Sequence, residues 1–233
     1  MENQRSSVLK KKGIPREKLI AIEGLDGSGK ATQAKELTAA LKAQGVPVRQ
    51  VSFPDYESDS SVLIKMYLSG QFGTAPNAVN AYAASSFFAV DRYASFQKDW
   101  RRDYAQGLIV ADRYTTSNAI HQCSKLPEAE WDGFLDWLFD YEYGKLGIPA
   151  PSLVIYLKVD PEVSQKLMTG RYAGDESKKD IHERDLDYLK RSHQAADFCS
   201  KKLGWTVIDC CADGNMRSIE EIRGEILNCL SHL

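Results

Sequence analysis

Leu19-Ile20-Ala21-Ile22-Glu23-Gly24-Leu25-Asp26-Gly27-Ser28-Gly29-Lys30-Ala31-Thr32 decides how this chain is read. Leu19 to Ile22 is an apolar run of strand length, and the glycine cluster Gly24, Gly27 and Gly29 follows it at once. Beyond the cluster, Ala34, Leu37 and Leu41 recur at helical spacing until Gly45, with Pro47 behind it, ends the helix. Gly24 to Lys30 fits G-x-x-x-x-G-K between a strand and a helix, the context a phosphate-binding loop needs. Glycines let backbone N–H groups turn inward around phosphate oxygens. The helix N-terminus adds positive potential, and Lys30 brings a mobile charge to β- and γ-phosphates. The candidate nucleotide-phosphate contacts are therefore Gly24, Leu25, Asp26, Gly27, Ser28, Gly29, Lys30, Ala31 and Thr32.

One position departs from the motif. Ala31 stands where a serine or threonine hydroxyl is expected to ligate Mg²⁺. Thr32 is a poor substitute, because one residue turns the side chain about 100° around a helix. Metal holding then rests on carboxylates and water, which suits a cation that dehydrates reluctantly.

Outward from this loop, Val46 to Phe53, Leu108 to Ala111, Leu153 to Val159 and Trp205 to Ile208 read as four further strands, with helical periodicity between them. Parallel strands need crossover connections, so this alternation predicts an α/β fold with a parallel sheet covered on both faces. Trp131, Phe134, Leu135, Leu138 and Phe139 form a stripe expected in the core. Leu186 to Leu203 is expected to be a long helix ended by Gly204, and Ser218 with Glu221 a capping box opening the last helix.

Composition narrows the class. The 233 residues are 43% hydrophobic and suffice for one sizeable core; the charged 27% nearly cancel to a net −2. Without a global basic field, nucleic acid is not an expected partner, and no stretch approaches the roughly 20 apolar residues of a membrane span. The five cysteines lack a C-x-x-C pair and read as reduced core thiols of a cytoplasmic protein. Residues 1–17 read as a loose N-terminal extension, and 18–233 as one domain.

A second constellation closes the third strand. Asp112, at the carboxyl end of a parallel strand, points into the crevice where ligands of open α/β sheets bind, placed to hold metal or order its water. Arg113 beside it offers a bidentate clamp for phosphate. Phe88 and Arg92, four apart on a helix, share a face on which a flat ring stacks a base and a planar donor fork bonds its edge.

Gly24 to Lys30, Phe53-Pro54-Asp55-Tyr56, Phe88-Ala89-Val90-Asp91-Arg92, Asp112-Arg113-Tyr114 with Ser117-Asn118, and Asp180-Ile181-His182-Glu183 together resemble the ordered motif set of thymidylate kinases, from about Leu19 to Leu203. The resemblance implies a three-layer α/β/α P-loop NTPase fold with a five-stranded parallel sheet and a mobile lid, a homodimer, ATP with Mg²⁺, and phosphoryl transfer to dTMP in dTTP synthesis. It places Phe88 on thymine, Arg92 on a thymine carbonyl, Asn118 on the base edge, and Asp26 and Tyr56 near the sugar and phosphate. Arg113 would grip the acceptor phosphate, and His121 would lie near the sugar. Phe53, Pro54, Ser117, Asp180 and Glu183 complete the implied dTMP contacts, and Asp26 and Asp112 the implied metal site. About 171–183 resembles the lid. Gly27 stands where one subgroup carries an arginine, so Arg171, with Lys178 and Lys179 behind it, is the implied catalytic cation beside Lys30, Asp112 and Asp26. A kinase for another nucleoside monophosphate and a non-catalytic nucleotide-binding module stay open as alternatives.

Overall fold

The computed structural model describes residues 18–171, 181 and 185–231. Strands β1 (Leu19–Gly24), β2 (Val48–Ser52), β3 (Leu108–Asp112), β4 (Leu153–Lys158) and β5 (Thr206–Asp209) pair in parallel, in the order β2-β3-β1-β4-β5. Around them stand α1 (Lys30–Ala43), α2 (Val62–Leu68), α3 (Ala81–Ser95), α4 (Arg101–Gln106), α5 (Thr115–Cys123), α6 (Trp131–Phe139), α7 (Pro161–Arg171), α8 (Leu186–Lys202) and α9 (Ile219–Ser231).

Side chains alternate across a strand, and β1 shows what that builds. Leu19 and Ala21 enter a core shared with Ala81 of α3, Ala119 of α5, Phe134 of α6 and Cys199 of α8. Ile20 and Ile22 enter the opposite one, shared with Leu37 of α1, Val163 of α7 and Ile226 of α9. Two cores on one sheet make three layers. Full burial of each such isoleucine contributes roughly 1.5–3 kcal/mol. Of the expected stripe, Trp131, Phe134, Leu135 and Leu138 are buried, and Phe139 is half-buried against the same core.

Strand ends differ from the sequence reading by one or two residues. β2 begins after Pro47, whose nitrogen carries no hydrogen for a ladder, while Val46 donates to Leu41 O at 3.1 Å and finishes the helix end instead. β3 runs on to Asp112, so this acid belongs to the strand. A short hairpin, β6 (Cys211–Ala212) with β7 (Asn215–Met216), is absent from the sequence reading, although Asp213-Gly214 at φ 51° and 71° is its turn signal. The capping box is present: Glu221 N–H donates to Ser218 Oγ at 3.2 Å, and Ser218 N–H to Glu221 Oε2 at 2.9 Å.

Two wide π turns, Phe96–Trp100 after α3 and Asp140–Lys145 after α6, also lie outside the sequence reading. A π turn adds one residue to a helical turn and re-aims the chain beyond it. The second one carries Glu142 to Arg92 of α3 and Asn118 of α5.

Candidate functional site

β1 and β3 are neighbours, so the phosphate loop after β1 and the Asp112-Arg113-Tyr114 turn after β3 open at the same sheet edge. Gly24 must be a glycine. A Cβ there would sit 2.4 Å from Ser28 Oγ and 2.9 Å from Leu157 O. Gly29 enters α1 at φ 79°, a left-handed conformation that costs a side chain energy. The first N–H groups of α1 then face the loop, and Ala31 and Thr32 are exposed there. Leu25 packs its side chain into the core; its carbonyl accepts from Lys30 Nζ at 2.7 Å, with Ser28 Oγ at 3.4 Å. Lys30 is thus folded back on its own loop. Burial lowers its pKa to about 8; Arg113 adds repulsion, and Asp26, Asp112 and Glu23 oppose the shift.

Arg113 takes φ 64°, sparsely populated for a side-chain-bearing residue, and its N–H donates to Ile22 O at 3.1 Å. From this turn its guanidinium pairs with Asp26 and donates from Nη1 to His121 Nε2 at 3.2 Å. Arginine only donates, so His121 Nε2 holds the lone pair and Nδ1 the proton, which Tyr188 Oη accepts at 3.2 Å. Tyr188 in turn donates to His121 O at 3.1 Å. Burial first, then Arg113, pushes the His121 ring down to about 3, so it is neutral at any working pH. Among the described residues the Asp112 carboxylate receives a long 3.4 Å contact from Ser52 Oγ, and Asp112 is half-buried.

Behind the turn lies Glu23, fully buried. Its carboxyl accepts from Tyr114 N–H at 2.9 Å and from the Thr116 and Ser117 hydroxyls at 2.6 Å each. No side chain of its own caps α5, so an acid from β1 meets the positive end of this helix. Burial raises the Glu23 pKa, and these donors oppose it. Ser117, expected against the nucleotide, commits its proton to Glu23.

The other half of the site is built on α3 and α5. Arg92 is 2% exposed and grips Glu142 through Nε to Oε2 at 2.7 Å and Nη2 to Oε1 at 2.6 Å. Asn118 Nδ2 donates to Ser85 O and to Glu142 Oε1, both at 3.2 Å, and Thr115 Oγ1 donates to Glu142 Oε2 at 2.7 Å. Phe88 is half-buried, edge-on to Tyr67 with ring centroids 6.3 Å apart. Asp91 ties down the loop before α2, accepting from Asp55 N–H at 2.9 Å and Ser60 Oγ at 2.6 Å.

Phe53, expected against the nucleotide, is 3% exposed and packs against Tyr114 and Trp100, with ring centroids 5.8 and 6.5 Å away. It follows the last residue of β2 and joins the core, because burial of an aromatic ring outweighs exposure at a strand end. Pro54 is half-buried and Tyr56 is exposed beyond it.

The structure therefore brings together Asp26, Lys30, Asp112, Arg113 and His121 on one side and Arg92 and Asn118 on the other. The Arg171 side chain, Lys178, Lys179, Asp180 and Glu183 lie outside the described residues, as does the extension 1–17. Sequence reasoning misses Glu23, Glu142 and Tyr188. Glu23 has a signal, a lone acid ending an apolar strand; Glu142 has none, because the π turn breaks the periodicity around it. Among the described residues no group of three or more His, Cys, Asp or Glu side chains is arranged to hold a metal ion. Asp112 and Asp26 alone fit a hydrated cation carried mainly on nucleotide phosphates.

The family model described as Thymidylate kinase matches residues 22–223. The Mycobacterium tuberculosis thymidylate kinase is 30% identical over 200 residues, covering 84% of this chain and 92% of the relative. That of Schizosaccharomyces pombe is 26% identical over 219 residues, covering 94% and 93%. The solved thymidylate kinase of Candida albicans superposes with a TM-score of 0.67 at 22% identity, covering 93% and 92% of the two chains, and so supports the fold.

Proposed function

The chain belongs to the thymidylate kinase family, and on that premise we propose how its residues divide the work. It is a nucleoside monophosphate kinase that transfers the γ-phosphoryl group of ATP to dTMP, giving dTDP and ADP. The observation that carries this reading is the convergence of Lys30, Asp26, Asp112 and Arg113 at the ends of β1 and β3, beside a loop that offers backbone N–H groups. Phosphoryl transfer asks little covalent chemistry of a protein, so positioning and charge neutralisation suffice.

In this proposal the loop from Gly24 to Thr32 holds ATP, and Lys30 leaves Leu25 O for the β- and γ-phosphates. Arg113 grips the acceptor phosphate, with Asp26 orienting its fork. Phe88 stacks on thymine, Arg92 donates to a carbonyl of the base, and Asn118 meets the adjacent edge. Neutral His121, fixed between Arg113 and Tyr188, lies on the sugar side with Tyr56. Residues 18–233 act as one catalytic unit in which 171–183, through Arg171 first, supplies the cation that Gly27 omits. Bound Mg²⁺ would neutralise phosphate charge, with Asp112 and Asp26 holding its water.

We place the enzyme in the cytoplasm as a homodimer serving dTTP synthesis. Val90 and Tyr93, exposed three apart on α3, are apolar surface that such a dimer would cover, and no described helix is long and apolar enough to cross a membrane. Coupled ADP release with dTMP, dUMP, dCMP and dGMP tests the whole reading: dTMP should be the best acceptor. ATP binding without dTMP-dependent ADP release would overturn it.

A further inference from the structure

Glu142 faces no nucleotide in this reading, yet it holds both residues assigned to the base. It is fully buried, and its two oxygens take four donors: Arg92 Nη2 and Asn118 Nδ2 on Oε1, Arg92 Nε and Thr115 Oγ1 on Oε2. Asn118 Nδ2 has two hydrogens and two partners, Glu142 and Ser85 O. Both partners only accept. The NH₂ end of this amide must therefore face them, and Oδ1 is left as the group offered to a ligand. Arg92 is fixed the other way. A guanidinium has no acceptor at all, and with Nε and Nη2 engaged by Glu142 it can offer a ligand only further hydrogens, its Nη1 being held by no more than a 3.5 Å contact to Tyr114 O.

We infer that Glu142 is a positioning residue that sets the polarity of base recognition, so that the site presents donors from Arg92 next to an acceptor from Asn118. This rests on the thymidylate reading of the site and deepens it. A donor beside an acceptor complements an imide edge, C=O next to N–H, as in thymine and uracil. It opposes cytosine, which presents an amino group next to a bare ring nitrogen, and both contacts are then mismatched. The discrimination is thus imposed from behind the pocket, by a carboxylate that can only accept. The wide turn at Asp140–Lys145 is what brings it there, and the guanidinium of Arg92 supplies its counter-charge.

Glu142→Gln tests the point, since it keeps shape and replaces one acceptor oxygen by NH₂. Whichever way the new amide lies, it turns an N–H on Arg92, and in one orientation on Asn118 as well. The kcat/KM ratio of dTMP over dCMP should fall about tenfold or more, because a site built to pair a polar edge loses that selectivity when its own groups are no longer fixed. KM for ATP should stay unchanged. Glu142→Asp is the control: a shorter carboxylate still only accepts, so KM for dTMP should rise while the dTMP over dCMP ratio is retained. A Glu142→Gln ratio equal to wild type overturns the inference, and so does a Glu142→Asp ratio that falls as far as that of Glu142→Gln. Should Glu142→Gln not fold, the Glu142→Asp ratio decides alone, retention supporting the inference and loss overturning it. A wild-type enzyme with no preference for dTMP over dCMP would instead sink the base assignment itself, whatever Glu142 does.

Discussion

Around Glu142, donors from α3 and α5 close on one buried carboxylate, and the charge of Arg92 is matched before any ligand arrives. Around Lys30, by contrast, the ammonium rests on a neutral carbonyl of its own loop, while Arg113 repels it and Asp26 is shared with Arg113. In the proposed division of the site, the base side is a finished network and the phosphate side a provisional one. The physical reason is the ligand. A thymine edge is uncharged and is best read by rigid, pre-oriented groups, whereas a triphosphate brings several negative charges and can itself complete an under-neutralised cluster.

The contrast breaks most visibly at Arg92. Arg92→Ala leaves Glu142 buried without a counter-charge, which costs about 3–5 kcal/mol. For a chain of this size that lowers the melting temperature by roughly 6–20 °C. Thermal melting of the ligand-free protein measures it; an unchanged midpoint would show that Glu142 finds other compensation and that the network is not finished without Arg92.

Lys30→Ala should do the reverse. Among the described residues its Nζ bonds Leu25 O and Ser28 Oγ, both in its own loop, so the melting temperature should hold, while kcat falls by about 10²–10³ or more with the loss of a positioned charge. A mutant with near-normal kcat would remove Lys30 from the transfer step.

A pH profile sharpens the same point without mutation. With the Lys30 pKa lowered to about 8 in the free protein, the protonated form that attracts phosphate is depleted as pH rises through that value. The kcat/KM for ATP should therefore decline above about pH 8, approaching a decade per unit, since this parameter reports the free enzyme. His121, held neutral, should add no limb between pH 5 and 9. A flat basic side in the profile would mean that Lys30 is better solvated than its folded-back position implies.

The smallest effect is expected at Ala31, exposed in the first turn of α1. Ala31→Ser restores a hydroxyl and should tighten apparent Mg²⁺ affinity a few-fold, the scale of one hydrogen-bonding group, with little change in kcat. A large fall in rate, measured in a Mg²⁺ titration of activity, would show a site shaped around the methyl group.

Much of this architecture is local and so is readable from the sequence. The glycines at 24, 27 and 29, the alternation of apolar runs with helical stripes, Gly45 and the Ser218/Glu221 box each act within a few residues, and each stands where expected. The phosphate loop, Asp112 at a strand end and the Phe88/Arg92 spacing are of the same kind. What tertiary structure alone decided is which groups meet across long stretches of chain: Glu23 under the start of α5, Arg113 against His121 and Tyr188, and Glu142 behind Arg92 and Asn118. These contacts bridge 8 to 94 positions and leave no periodic trace. A buried acid must find donors, and only the packed sheet and its helices determine which donors those are.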